Sequence, residues 1–268
     1  MDDLVLEYRD VMLGYEEAPV LTRVDLRVRR GELLVVAGSS GCGKSTLLKA
    51  AVGLLPVWEG QVRLFGEDIA AVSEGRLAQL RARTGMLFQG GALINSLTIA
   101  ENVALPLEHR SGLPPRVREE LVRMKLALVG LEAHRHKTPP QLSGGMRKRA
   151  ALARALALDP ELLLCDEPSA GLDPVTAAGL DDLLLHLRAA LDMTMVVVTH
   201  ELSSIETIAD RLVIVAGGGV AFDGLLAQAR ESELPPVRDF LRRRPEEVGA
   251  KGPSLLERAR QGESEVRG

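Results

Sequence analysis

Nine consecutive residues have the types and spacing of a loop that binds nucleotide phosphates. They fit the pattern G-x-x-x-x-G-K-[ST] at every fixed position and read Gly38-Ser39-Ser40-Gly41-Cys42-Gly43-Lys44-Ser45-Thr46. Glycines lack a Cβ atom, so successive backbone N–H groups can turn toward anionic oxygens, and a helix N-terminus adds partial positive charge. In this pattern Lys44 reaches the β- and γ-phosphates, and the Ser45 hydroxyl is one ligand of a bridging Mg²⁺.

The residues on either side of this loop have the patterns that the motif requires. The apolar run at 33–37 predicts a strand, and the run at 47–52 predicts a helix that ends at Gly53. Strand, loop and helix in this order favour a true phosphate site over the alternative, a chance glycine-rich turn.

A carboxylate pair follows the predicted buried strand at 162–165. Asp166 and Glu167 stand at its carboxyl end, where parallel sheets bind ligands and where charge is rarely left without a partner. Asp166 suits Mg²⁺, directly or through water. Glu167 suits polarisation of the water that attacks the γ-phosphate.

Two other predicted strands also end on polar residues. Gln89 ends the one at 86–89, and His200 follows the one at 193–198. Gln89 has two interpretations: it ligates the metal and the attacking water, or it caps a loop. His200 is expected to hold the γ-phosphate or to orient water and Glu167.

A second glycine-rich anion nest precedes a predicted Ala- and Arg-rich helix at 147–158. It consists of Leu142-Ser143-Gly144-Gly145-Met146.

Near the N-terminus, Tyr15 lies in a polar turn between two predicted strands. Its ring suits stacking on adenine, and an ordinary half-buried tyrosine fits the sequence equally well.

The elements that position these residues suggest an α/β domain. Residues 4–31 alternate as antiparallel strands do, and residues 95–158 form a helical insertion with a capping box at Thr98-Ile99-Ala100-Glu101. Within it, one apolar stripe that stops at Gly130 is expected to serve packing and partner contact: Val117, Leu121, Met124 and Leu128.

Composition narrows the function classes. The 268 residues carry a formal net charge of −4, so a basic nucleic-acid-binding face is not expected. Two isolated cysteines indicate a reduced compartment. The sequence shows neither a signal peptide nor a transmembrane stretch, so we expect a soluble chain whose membrane role comes through a partner.

These motifs occur in the order and approximate spacing of an ABC transporter ATPase, which the chain resembles over about residues 4–226. The resemblance implies a P-loop NTPase fold: a small antiparallel β-layer, a mostly parallel core sheet flanked by helices, and a helical insertion. It also implies ATP and Mg²⁺ as ligands, and a dimer in which Ser143, Gly144 and Gly145 cap the ATP held by the other chain. Asp173 would lie at that seam, and Tyr15 matches the adenine-stacking aromatic.

A finer resemblance points to lipid transport. The segment 85–107 is similar to the ATPases of MCE-associated, Mla-type lipid transporters, and so is Met146, where most of the superfamily has Gln. This similarity implies an integral permease partner, an MCE-type lipid-binding protein, and a peripheral position on the cytoplasmic face of the inner membrane. The amide lost at Met146 leaves the Ser-Gly-Gly nest intact, so activity is expected to survive.

The chain is predicted to divide into an ATPase domain, residues 1–230, and a C-terminal extension, residues 231–268. From Glu246 onward the extension is polar, and we expect it to be partly mobile. A second hypothesis docks it on the other chain through Phe240 and Leu255-Leu256.

Two alternatives to lipid transport remain open: an ABC importer or exporter of another solute, and a nucleotide-switched ABC protein outside transport.

Overall fold

The computed structural model of the chain describes residues 3–108 and 113–242. Its strands are β1 (Leu4–Tyr15), β2 (Ala18–Arg29), β3 (Leu33–Ala37), β4 (Glu59–Leu64), β5 (Glu67–Asp68), β6 (Thr84–Leu87), β7 (Leu162–Asp166), β8 (Thr194–Val198), β9 (Arg211–Ala216) and β10 (Gly219–Gly224). Its α-helices are α1 (Lys44–Ala51), α2 (Glu74–Ala82), α3 (Ile99–Glu108), α4 (Pro115–Leu128), α5 (Gly144–Ala155), α6 (Pro174–Leu191), α7 (Leu202–Ile208), α8 (Leu226–Glu231) and α9 (Pro235–Leu241). Short 3-10 helices cover Glu132–His134 and Pro139–Gln141.

The strands form two sheets. One is antiparallel, in the order β2-β1-β4-β5. The other has the order β10-β9-β3-β8-β7-β6 and is parallel except for its edge strand β10. The predicted α/β class, with a small antiparallel layer and a mostly parallel core sheet, is confirmed.

The larger sheet separates two hydrophobic cores, and β3 shows how. Leu33 and Val35 face the core formed with the helices α3 to α7, whereas Leu34 and Val36 face the core shared with the antiparallel sheet. A strand buried on both faces is apolar throughout, because its side chains alternate between two dry environments. Three parallel strands in the middle of this sheet, β3, β7 and β8, therefore end together beneath the site residues.

Most of the predicted apolar stripe of α4 is exposed in the single chain, and one member, Leu121, packs against the core. Val117, Met124 and Leu128 are 40 to 56% exposed. The buried face instead carries Val122, Lys125 and Leu126. Lys125 sits in the middle of this face and pairs with Asp159, so a periodicity that counts lysine as polar selects the neighbouring stripe.

Several predicted boundaries also shift. Helix α1 begins at Lys44 and α5 at Gly144, three residues before the predicted starts, because their first turns hold polar residues and glycines rather than apolar ones. Strand β6 ends at Leu87, so Gln89 lies in the turn beyond it. The predicted helical insertion at 95–158 contains α3, α4 and α5.

The first part of the predicted extension packs on its own chain. Val237 in α9 is fully buried, and Phe240 packs against the core on the helical side of the sheet. Phe240 is thus partly buried on its own chain, and its anchoring on a second chain stays a prediction. Leu255-Leu256 and the remainder of the tail lie outside the described residues. No helix in the described ranges is long and apolar enough to cross a membrane.

Glu161 joins three parts of the chain and provides a pH-dependent test of the fold. Its carboxylate accepts hydrogen bonds from Arg83 at 2.6 Å and Arg30 at 2.8 Å, and these contacts lower the pKa of Glu161 to about 2. Because the folded pKa lies below the ordinary value of 4.5, the stabilisation is complete above pH 4.5 and disappears as the pH falls toward 2.

We expect Glu161→Gln to lower the free energy of unfolding by about 1 kcal/mol at pH 7, since solvent screens this 37% exposed carboxylate. Urea denaturation at pH 7, 5 and 3 measures the effect, which should shrink at the lowest pH. Glu206→Gln is the control, because its single partner Arg230 forms an exposed pair. A loss that is the same at pH 7 and pH 3 would contradict this account.

Candidate functional site

The glycine-rich loop connects β3 to α1 and has the backbone of an anion-binding turn. Gly43 caps α1 with φ of +103°, and a Cβ atom there would lie 2.7 Å from Leu21 Cγ, so only glycine fits. The N–H groups of the first turn of α1 lie next to this loop, at the positive end of the helix. This arrangement suits the phosphates of a nucleotide.

Lys44 lies in this first turn and bends back over the loop. Its ammonium group donates to the carbonyl oxygens of Gly38 at 2.9 Å and Ser39 at 2.7 Å, and it lies 3.8 Å from Cys42 Sγ. The side chain is 6% exposed, so its positive charge is concentrated at the mouth of the loop. Burial raises the pKa of the Cys42 thiol, and the neighbouring lysine opposes that shift.

Two oxygen-bearing side chains meet between the loop and the core sheet. Ser45 Oγ donates to Asp166 Oδ1 at 2.7 Å, which joins the start of α1 to the end of β7. Hydroxyl and carboxylate oxygens are the ligands that Mg²⁺ takes beside a phosphate, so this pair fits a magnesium ion. Among the described residues, the exposed side chain of Gln89, the predicted third ligand, makes no hydrogen bond to Ser45 or Asp166, and its role as a metal ligand stays a prediction.

Glu167 and His200 form a second pair at the same edge of the sheet. His200 Nδ1 lies 2.8 Å from Glu167 Oε1, and Glu201 Oε1 lies 3.6 Å from the other ring nitrogen. Glu167 Oε2 is buried and has no hydrogen-bond partner within residues 3–108 and 113–242. A buried carboxylate oxygen with no partner is costly, so it suits a site where a bound water or hydroxyl supplies the missing bond.

The backbone of Glu167 is also unusual. Its φ of +48° lies in the left-handed region, which costs free energy for a residue with a Cβ atom. Its N–H donates to Val198 O at 2.9 Å, and its carbonyl accepts from Lys148 Nζ at 3.0 Å. Both sides of this strained residue are thus held by neighbouring elements, so the carboxylate direction is set by the backbone as well as by His200.

The second glycine nest opens α5. Ser143 is the N-cap, and its Oγ accepts from Met146 N at 3.3 Å. Gly145 is packed so closely against α6 that a Cβ atom would lie 2.4 Å from Thr176 Cγ2. Asp173 caps α6 beside it and accepts from the Thr176 hydroxyl, which holds the pKa of Asp173 below its usual range. Ser143 is exposed at this helix N-terminus and Gly145 is buried, and the N–H groups there form a donor surface together with the Ser143 hydroxyl.

Tyr15 ends β1 with its side chain 44% exposed. Lys49 Nζ lies 3.4 Å from its hydroxyl and 5.7 Å from the ring centroid. Since Lys49 belongs to the helix that begins with Lys44, the tyrosine stands on the same side of the molecule as the phosphate loop.

Sequence reasoning missed Lys148. This buried lysine of α5 donates to the backbone carbonyls of Gln89 and Glu167 and so touches two predicted site residues at once. The one signal in the sequence is a lysine in an Ala-rich helix, one turn beyond Gly144. Burial lowers the pKa of Lys148, and the carboxylates of Glu167 and Asp166 oppose that shift.

Comparison with known proteins is consistent with this geometry. A family model described as "ABC transporter" matches residues 21–170. The phospholipid transport ATP-binding protein MlaF of Haemophilus influenzae is 37% identical over 242 residues, covering 90% of this chain and 92% of MlaF. The probable ribonucleotide transport ATP-binding protein mkl of Mycobacterium tuberculosis is 39% identical over 237 residues, covering 88% of this chain and 66% of mkl.

A solved structure has the same fold. The ATP-binding cassette MJ0796, a dimer in a post-hydrolysis state bound to ADP and Pi, superposes with a TM-score of 0.76 and 31% identity. The match covers 82% of this chain and 98% of the MJ0796 chain.

Proposed function

The chain belongs to the ABC transporter family, and we propose that it is the ATP-hydrolysing subunit of a transporter that moves phospholipid between bacterial membranes. The observation that carries the proposal is the similarity to MlaF, which spans about nine tenths of both chains. The segment at 85–107 supports the same subfamily. The substrates of the reaction are ATP and water, with Mg²⁺ bound beside the phosphates.

We assign the phosphate-binding role to the loop 38–46. Its N–H groups and Lys44 hold the phosphate oxygens, and Ser45 and Asp166 hold Mg²⁺, which neutralises negative charge on those oxygens. The hydrogen bonds that Lys44 now makes to Gly38 and Ser39 keep its ammonium group at the mouth of the loop. Tyr15 contributes a stacking surface for adenine.

We assign the water-activating role to Glu167. Its unpartnered Oε2 accepts a hydrogen bond from the attacking water, while His200 holds Oε1 and fixes the direction of the carboxylate. As the water attacks the γ-phosphate, its proton moves toward Oε2, the bond from the γ-phosphorus to the β,γ-bridging oxygen breaks, and ADP and phosphate are the products. Gln89 lies in the turn beyond β6, and its backbone carbonyl accepts a hydrogen bond from Lys148, which also contacts Glu167.

Two copies of the chain are proposed to share each ATP. The donor surface formed by Ser143, Gly144 and Gly145 covers the γ-phosphate side of the nucleotide held by the partner's phosphate loop. ATP binding then closes the pair and hydrolysis opens it, which converts nucleotide free energy into movement of the membrane subunits.

We propose that the chain lies on the cytoplasmic face of the inner membrane, under an integral permease and with an MCE-type lipid-binding protein in the assembly. With a formal net charge of −4, the chain is not proposed to bind nucleic acid.

The similarity to mkl favours a second candidate, transport of another solute such as a ribonucleotide. This similarity has the same level of identity but covers only 66% of the relative. Purification of the tagged full-length chain from membranes, followed by lipid and small-molecule analysis, separates the two candidates. We expect a permease and phospholipid in excess over that carried by an unrelated membrane complex in the same detergent. Enrichment of a polar solute without phospholipid would overturn the lipid assignment and favour the second candidate.

A further inference from the structure

Lys148 is buried next to the catalytic carboxylate, yet it makes no ion pair among the described residues. The side chain belongs to α5, is 8% exposed, and donates to two backbone carbonyls, those of Gln89 and Glu167. The other buried lysine on a helix of this region, Lys125, is paired with Asp159. Burying an ammonium group costs free energy, and a carboxylate partner normally offsets that cost.

The role of lysine at this position therefore depends on the length of its side chain and on its hydrogen-bond donors. A leucine or methionine would fill the same apolar space without the desolvation cost. Lys148 is the side chain by which α5 contacts the residue after β7 and the turn after β6 at the same time. Arg154, two turns further along α5, adds hydrogen bonds to Ala92 at 2.7 Å and Gly91 at 2.8 Å. Helix α5 is thus hydrogen-bonded to the loop 89–92 at two positions along its length, Lys148 and Arg154.

The contact to Glu167 is made at a residue whose backbone is strained. Glu167 has φ of +48°, its N–H is held by Val198, and Lys148 holds its carbonyl on the other side. The Ala170 N–H donates to the same carbonyl at 3.3 Å, so Lys148 supplies the shorter of two hydrogen bonds that hold the peptide after Glu167. Without the lysine, the longer bond alone holds this peptide, which can then rotate more easily toward an ordinary conformation and turn the carboxylate away from His200 and the attacking water.

We propose that Lys148 is a positioning residue. It couples the helix that contacts the partner's nucleotide to the water-activating residue at the chain's own nucleotide. The N-terminus of α5 faces the partner's nucleotide, and Lys148 of the same helix fixes Glu167 and Gln89 at the chain's own nucleotide. A movement of α5 on closure of the dimer is thereby transmitted to the water-activating carboxylate. This inference rests on the proposed function, because it needs ATP hydrolysis and the shared site.

The test compares three variants of the full-length chain. Lys148→Met keeps the length and the apolar stem but removes the donors, so we expect kcat for ATP hydrolysis to fall about 10-fold. The KM for ATP should change by less than about 2-fold, because the phosphate loop is untouched. Lys148→Arg keeps the charge and offers two donors in a fork, so it should restore at least about half of the wild-type kcat. Lys125→Met removes a buried lysine away from the site and should lower stability without changing kcat.

Each outcome decides the inference. A wild-type kcat in Lys148→Met, a loss carried by KM alone, or a loss that Lys148→Arg does not restore would overturn it. If Lys148→Met does not fold, Lys148→Gln replaces it, with a fall in kcat in the same direction expected and an unchanged kcat contradicting the role. Failure of the proposed function looks different, because the wild-type chain itself would then not hydrolyse ATP.

Discussion

Glu167→Gln is expected to lower the rate of ATP hydrolysis by about 100-fold or more while leaving ATP binding intact. The substitution keeps the size of the side chain and its contact with His200, but an amide cannot accept the proton of the attacking water. The phosphate loop, Ser45 and Asp166 do not change. ATP therefore stays bound between two chains, and the variant should accumulate as an ATP-dependent dimer.

Phosphate release under single-turnover and steady-state conditions measures the first effect, and size-exclusion chromatography with ATP and Mg²⁺ measures the second. Glu206→Gln is the matched control, since its carboxylate pairs with Arg230 on the surface. Hydrolysis at the wild-type rate in Glu167→Gln would remove Glu167 from the role we assign to it.

Lys44→Ala is expected to weaken ATP binding by about 100-fold or more and to reduce hydrolysis to background. The ammonium group is expected to donate charge-assisted hydrogen bonds to phosphate oxygens, each worth roughly 1.5 to 3 kcal/mol. It also bonds to Gly38 and Ser39, so its loss removes contacts that hold the loop itself. The loss of the phosphate hydrogen bonds and the loss of the loop contacts both weaken binding of the ATP phosphates.

Titration with a fluorescent ATP analogue measures the binding constant, and thermal unfolding without nucleotide checks that the fold is retained. Lys137→Ala is the control, because Lys137 is an exposed lysine in the loop before the second 3-10 helix. Binding of the analogue by Lys44→Ala with wild-type affinity would contradict the phosphate-loop assignment.

The parts of the site that local sequence determines could be predicted from the sequence. The strand β3, the glycine loop and the start of α1 are adjacent in the chain, and the conformation of Gly43 follows from its residue type. The strand-end residues Asp166, Glu167 and His200 were also predictable, because a doubly buried strand is apolar until it ends.

Features that depend on contacts between distant segments could not be predicted in this way. The buried face of α4 depends on a lysine that a partner 34 residues away neutralises. Lys148 and Gln89 meet across 59 residues, and Lys148 and Glu167 across 19. The left-handed conformation of Glu167 is likewise imposed by its neighbours on β8 and α5 and has no signal in residue type.

Our central claim is that each ATP is held by the phosphate loop of one chain and the Ser143 nest of the other. Mixed dimers test it most directly, with one chain carrying only Lys44→Ala and the other only Ser143→Arg. Each homodimer should be inactive. The mixed dimer retains one site with both an intact Lys44 and an intact Ser143, so we predict about half of the wild-type rate of ATP hydrolysis if the sites act independently. Mixed dimers that form but hydrolyse no more ATP than the two homodimers would contradict the shared site.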